Sequence, residues 1–384
     1  MIVADAPARP QREREKSAAS IDVLSPPSAM LARHFARDPS LLPRYDRLRR
    51  LAGGIVGSNY DVSDVCNLRC EGCLYFEGSD RAGHKDSEAD NAWNALFAAE
   101  KARGVNFAYL AGAEPALQRA RLRMAARHIG RGVVFTNGTV SIDPDLPFAI
   151  HVSIWGDQAS TPALRGAGSY DRAFRLFGKD PRARFIMTVN ALNIETTWTV
   201  AERCAAEGAR LSFSLFSPTM QYRGKLEAQA GNDDATFRIS TPDRHLAPTP
   251  ADLLRIRDTL DAVSARYPGT VLYKGAYNRW VTDPAGLYRI DPVTGWATDC
   301  GTRNTGRHRH VRVDLTTSQS KCCSPNLDCR DCRSYAMAAG TAVSRFRRFA
   351  TTFEGFRDWI EISEGWAALF LRDWPLESSA TGAS

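Results

Sequence analysis

The chain has 384 residues, 43% of them hydrophobic and 24% charged, and carries a formal net charge of +7. This size allows one large α/β domain with a smaller appendage, and the composition excludes a disordered or fibrous protein. No apolar run approaches the ~20 residues that span a bilayer, and the opening MIVADAPARPQREREKSAAS has no signal-peptide core. A cytoplasmic protein with no membrane partner is expected. Basic residues are scattered, densest at Arg121–Arg131 and Arg303–Arg312. That pattern predicts solvated surface, with nucleic acid an unlikely partner.

In chain order, residues 1–24 read as a disordered tail and 25–57 as an N-terminal helical segment with an apolar face. From Tyr60 the pattern changes. Apolar, β-rich runs recur at Tyr60–Val65, Val105–Leu110, Gly132–Phe135, Phe148–Ile154, Arg184–Val189 and Leu211–Phe216. Between them lie segments of helical spacing, such as Glu88–Arg103 and Thr197–Glu207. Strands alternating with helices predict a parallel sheet. Six units over residues 58–217 suit an α/β, partial (β/α)6 TIM-like barrel, because a full barrel needs ~250 residues. Residues 218–275 read as a lid and connecting helix, with a helix at Leu253–Tyr267 and a short strand at Val271–Lys274. Residues 276–340 form a small cysteine-rich domain with a hairpin strand at Val311–Leu315, and 341–384 form C-terminal helices and a tail. The run Trp359, Trp366, Phe370, Trp374 predicts a helix packed onto the barrel.

Nine cysteines without a secretion signal argue against a disulfide framework. Cys204 stands alone and reads as a buried small hydrophobe. Cys66, Cys70 and Cys73 fall within eight residues, just after the first strand, where a loop can wrap a metal centre. A structural zinc site takes four ligands, and iron–sulfur clusters are also held by four cysteines. Three local thiolates therefore leave one iron of such a cluster open to another ligand.

This Cys-x3-Cys-x2-Cys spacing resembles the radical S-adenosylmethionine family. Further motifs agree, one per strand end: Gly112-Ala113-Glu114-Pro115, Thr136-Asn137-Gly138, Ser153, and Arg165-Gly166-Ala167-Gly168-Ser169-Tyr170-Asp171. The resemblance covers residues 58–217. It implies a 4Fe–4S cluster on Cys66, Cys70 and Cys73 whose open iron takes the amino and carboxylate groups of S-adenosyl-L-methionine. It also implies that Gly112, Ala113 and Glu114 hold the methionine ammonium, with Thr136 and Asn137 in the adjoining turn. Ser153 would lie near the ribose or carboxylate, Arg165 would pair with the carboxylate, and Asn190 would lie along the adenosine. Ala113 replaces the family's second glycine. Gly72 replaces an aromatic residue that cradles adenine, a role open to Tyr75 or Phe76.

Cys300, Cys322, Cys323, Cys329 and Cys332 form a second group. It resembles the auxiliary-cluster domains of this family, of the twitch or SPASM kind. The implied ligands of a second 4Fe–4S cluster are Cys300, Cys329, Cys332 and one of Cys322 or Cys323, with Cys323 taken as the fourth. Zinc remains open at this site, since Cys-x2-Cys also suits it. His308 and His310 read as surface or anion contacts. Trp155, Tyr222, Arg223, Lys225, Tyr273, Lys274, Tyr277 and Arg279 are candidates to line a pocket. The expected function is reductive cleavage of S-adenosylmethionine to a 5′-deoxyadenosyl radical that abstracts hydrogen from a small-molecule or peptide substrate. An electron donor such as flavodoxin or ferredoxin is the implied partner. The catalytic residues acting on the substrate are unknown from sequence. An RNA-modifying radical enzyme and a non-catalytic metal-binding scaffold are the alternatives. The ~50 residues before the barrel read as too short for a leader-peptide-binding domain.

Overall fold

The computed structural model describes residues 28–76, 89–228, 238–301, 308–318 and 327–376. The expected N-terminal tail, Cys322 and Cys323, and much of the polar stretch before Pro250 lie outside the described residues.

Six strands lie parallel in one sheet: β1 (Gly57–Asp61), β2 (Phe107–Ala111), β3 (Gly132–Thr136), β4 (Ala149–Ile154), β5 (Ala183–Val189) and β6 (Leu211–Leu215). Their spatial order follows their chain order. Right-handed crossovers between successive parallel strands put every connecting helix on one face. The sheet therefore curls into a partial barrel, with its strand C-termini along one rim. Both faces are buried: Phe185, Met187, Leu211 and Phe213 share one face and are inaccessible, and Ile186, on the other face, is 2% exposed. Close approach between β2 and β3 depends on Gly132, where an added Cβ would lie 2.1 Å from the Ala108 carbonyl oxygen.

The first strand ends two residues into the run expected from Tyr60 to Val65, at Asp61. After Asp61 the chain turns outward, and the Ser63 carbonyl accepts from Ala113 N at 2.8 Å. The expected strand at Val271–Lys274 is reduced to one bridge, Leu211 with Val271. In the cysteine-rich segment, β7 (His310–Val311) pairs antiparallel with β8 (Thr317–Ser318) and parallel with β1. The hairpin thus extends the barrel sheet beyond its first strand.

Two helices at the start, α1 (Ser28–Arg37) and α2 (Leu41–Ala52), meet a long one at the end, α13 (Phe353–Phe370), with α11 (Tyr335–Ser344) and α12 (Phe346–Phe349) beside it. Trp359 is 1% exposed and packs edge-on to Phe346 at 4.7 Å. Arg44 grips Glu364 with two bonds of 2.9 and 2.6 Å. Phe370, at the end of α13, packs against Tyr109, His151 and Tyr335. This helix layer closes the barrel. No described helix is long and apolar enough to cross a membrane.

The expectation of solvated basic surface fails at Arg121. Its guanidinium is buried, donates to the Val62 carbonyl at 2.7 Å and lies 5.2 Å from the Trp93 ring centre.

Candidate active site

The loop after β1 carries the three cysteines to the C-terminal rim. Cys66, Cys70 and Cys73 line one cavity of about 1070 Å³, together with Gly112, Ala113, Glu114, Thr136, Asn137, Ser153, Arg165, Tyr75 and Trp155. Strand ends from β2, β3 and β4 thus converge on the cysteine loop, the edge where parallel α/β folds bind ligands.

Gly112 makes the convergence possible. Its φ is +125°, and an added Cβ would sit 2.6 Å from the Ser63 carbonyl. Glu114 is buried and accepts three bonds: from Thr136 Oγ1 at 2.7 Å, Asn137 N at 2.6 Å and Ala116 N at 2.9 Å. Burial raises its pKa, and those donors with nearby Arg165 work against the rise. A carboxylate has about four acceptor positions, so one further donor fits. Asn137 reaches back to the cysteine loop: its Nδ2 donates to Asn67 Oδ1 at 2.9 Å and lies 3.6 Å from Cys66 Sγ.

Arg165 ends the helix α5 (Ser160–Arg165), and Gly166 and Gly168, both at positive φ, turn the chain into the next helix. Its Nε donates to Cys70 Sγ at 3.3 Å, and its Nη1 donates to the Ser153 carbonyl. The guanidinium is therefore held between a thiol, the end of β4 and the neighbourhood of Glu114.

The thiols fit a metal cluster. Burial, then the adjacent Cys70, pushes the Cys73 thiol up to about 12, and burial raises Cys66 as well. Cys66 Sγ still accepts from Leu68 N at 3.4 Å. A bound cation reverses such shifts, because metal ligation deprotonates a thiol outright. Among the described residues, no three Cys, His, Asp or Glu side chains converge on a single ion. A cluster spreads its thiolates over separate irons and does not require such convergence.

Asn190 is not among the cavity residues. It is fully buried, and its Oδ1 accepts from Leu192 N at 2.9 Å. Phe76 is also core, whereas Tyr75 lines the cavity, taking the Gly112 N–H at 3.0 Å and donating to Asp61 Oδ1 at 2.9 Å. Tyr222, Tyr273 and Tyr277 are buried, and Arg223 and Arg279 pair with Asp331 and Asp358. Of the substrate-pocket candidates, Trp155 lines the cavity. His310 is not at the surface; it is buried, with Nε2 2.6 Å from Asp61 Oδ2, pinning β7 to β1. His308 lines the cavity, and its pKa falls to about 4 through desolvation and the neighbouring His310.

Glu71 carries no motif signal, yet it organises the cysteine loop. Fully buried between Cys70 and Cys73, it accepts from Arg238 N at 3.0 Å, Ile239 N at 2.8 Å and Tyr222 OH at 3.3 Å. A charged residue between two cysteines was its only visible mark.

Of the second cysteine group, Cys300 and Cys332 are buried and Cys329 is partly so. Thr341 Oγ1 takes the Gly301 N–H at 3.0 Å and lies 3.6 Å from Cys300 Sγ. The Cys329–Cys332 turn docks just beyond the end of β6, through Arg333 N to Ser217 Oγ at 2.9 Å. Cys332 shares a small core with Leu327, Met337 and Leu74, the residue after Cys73. Cys332 therefore lies beside the first cysteine loop, while Cys300 lies beside Thr341 on α11.

No family model and no curated protein matches the chain. Among solved structures, Streptococcus suis SuiB bound to S-adenosylmethionine is similar, with TM-score 0.49 and 13% identity over 73% of this chain and 64% of SuiB. SuiB bound to precursor peptide SuiA aligns at the same TM-score, over 63% of that chain. Native anSMEcpe with bound AdoMet aligns at TM-score 0.47 and 14% identity, over 77% of this chain and 84% of that one. The aligned region thus spans less than two thirds of SuiB. Likeness this low fixes neither family nor activity, which must be argued from the chain's own residues.

Proposed function

We propose that the chain is a radical S-adenosylmethionine enzyme acting on a small-molecule or peptide substrate. One observation carries the reading: three thiols, Glu114, Asn137 and Arg165 surround a single cavity at the C-terminal rim. Cys66, Cys70 and Cys73 would hold the cluster, leaving its fourth iron to the cofactor. Bound there, a reduced 4Fe–4S cluster supplies one-electron cleavage of S-adenosylmethionine, giving methionine and a 5′-deoxyadenosyl radical that takes a hydrogen atom from the substrate.

The chain's residues orient and shield. The remaining acceptor position of Glu114 suits the methionine ammonium, a charge-assisted contact in a buried site. Arg165, fixed by Cys70 and Ser153, offers a planar donor set to the methionine carboxylate. Gly112 lets the end of β2 pack against the Ser63 backbone, and Ala113 adds only a methyl group at the cavity wall. Trp155 and Phe216 wall the cavity and exclude water from a reactive intermediate. Cys300, Cys329 and Cys332 would hold a second cluster, with Cys323 as the fourth ligand. An electron donor such as flavodoxin or ferredoxin would reduce the first. A non-catalytic scaffold gives no reason for a cofactor-sized cavity walled by its metal ligands.

Anaerobic loading with iron and sulfide should give about eight irons per chain, about half of them lost in a Cys66→Ala/Cys70→Ala/Cys73→Ala variant and about half in Cys329→Ala/Cys332→Ala. Stoichiometric zinc, or full iron retention in the triple variant, would overturn the assignment.

A further inference from the structure

The cavity does not end at the cysteine loop. It continues down the barrel past Tyr109, Phe135 and Tyr335 to the N-terminal edge of β1, where Leu48, Ile55, Val343, Trp359, Ser363 and Trp366 line it. Strand β1 has five residues; at ~3.3 Å per residue the lumen spans roughly 16 Å. The interior of a closed (β/α) barrel is packed with side chains, and small-ligand pockets run to roughly 1,000 Å³. At about 1070 Å³ this cavity has room beside the cofactor.

The walls of the far arm are mainly apolar and aromatic, with Ser344, Ser363 and Arg49 as polar residues among the described lining. Ser363 is 3% exposed and its hydroxyl oxygen is itself inaccessible, so at this point of the wall the residue matters for its small size. Arg49 is the one charged side chain among the described lining residues at this end. It is 57% exposed and held only loosely by Asp46, at 3.9 Å. With the exposed Gly54 beside it, Arg49 marks where the arm reaches solvent. The Trp359 Nε1 proton is already taken by the Val343 carbonyl at 2.9 Å, so that side chain presents carbon to the lumen.

We propose that the far arm is a substrate compartment for an elongated, largely apolar chain with an anionic end. The anion sits at Arg49, and the apolar body passes the small Ser363 and runs up the lumen toward the cysteine end. The place of reaction rests on the radical reading above; the shape and charge of the ligand rest on the cavity alone.

The probe is cis-parinaric acid, whose fluorescence is excited by transfer from Trp359 and Trp366. The cluster-free Cys66→Ala/Cys70→Ala/Cys73→Ala chain is titrated beside the wild type, so failure of the radical reading leaves this test intact. Saturable transfer is expected in both. Ser363→Phe should abolish it. Val343→Phe fills the arm from another helix and should do the same if Ser363→Phe does not fold. Arg49→Glu, at an exposed position, should weaken the acid about fivefold and leave the methyl ester unchanged. No saturable transfer in the wild type, equal binding in all variants, or an Arg49→Glu effect equal for acid and ester would overturn the proposal.

Discussion

Glu114 shows how a few atoms set the site. Its two oxygens are shared among Thr136, Asn137 and Ala116, so an amide there points a donor at a donor. Glu114→Gln should lower unfolding free energy by about 1–3 kcal/mol and weaken S-adenosylmethionine binding at least tenfold; unchanged denaturant midpoint and affinity would contradict its double role. Gly112→Ala should be as damaging, because the added methyl meets the Ser63 backbone. His151 gives a pH signature. Its Nε2 faces the Leu369 carbonyl at 2.9 Å, its Nδ1 takes the Tyr335 hydroxyl at 2.6 Å, and burial lowers its pKa from 6.5 to about 3. Below pH 6.5 the unfolded chain therefore binds a proton that the folded chain refuses. Stability should fall as pH drops from 6.5 toward 3, by up to about 1.4 kcal/mol per pH unit from this group. Urea midpoints at pH 7 and pH 5 test the direction, and His151→Gln should flatten the slope. At this scale the thiols, Glu114, Asn137 and Arg165 were legible because local motifs carry them. Glu71 and the His310–Asp61 pair were not. Their partners lie 167 and 249 positions away along the chain, and no local pattern encodes such contacts.

Among the elements, the cysteine loop is fastened at both flanks. Glu71 ties it to the backbone at Arg238 and Ile239, and Tyr222 joins the same carboxylate from the helix Met220–Glu227. Glu71→Ala leaves those amides unpaired. Hydrogen exchange at Arg238 and Ile239 should rise while exchange in β4 and β5 stays slow; unaltered exchange would mean the segment is held by other contacts. Strand order was readable from the alternation of apolar runs with helical spacing, since both periods are local. The end of β1 was not. Val62 and Val65 look like strand residues, but Gly112 draws the chain off the sheet at that point. The two-residue strand β7 was also beyond reach, because it forms only by pairing with β1.

For the whole molecule, the two termini cooperate. Helices α1 and α2 lock against α13, whose end packs Phe370 against Tyr109, His151 and Tyr335. Trp359→Ala removes a fully buried ring from that joint and should cost about 3–5 kcal/mol, read as a lowered urea midpoint; a loss below 1 kcal/mol would mean that the helix layer is not part of the cooperative unit. Aromatic spacing revealed the helix, whereas its route into the barrel depended on backbone carbonyls of Ala368 and Leu369 that carry no sequence signal. The central claim is that this barrel uses its rim cysteines to cleave S-adenosylmethionine. Anaerobic protein loaded with iron and sulfide, reduced with dithionite and given S-adenosylmethionine, tests it most directly. 5′-Deoxyadenosine is expected from the wild type and from Cys329→Ala/Cys332→Ala, and none from Cys66→Ala/Cys70→Ala/Cys73→Ala. Iron-loaded wild type that binds S-adenosylmethionine yet releases no 5′-deoxyadenosine would contradict it.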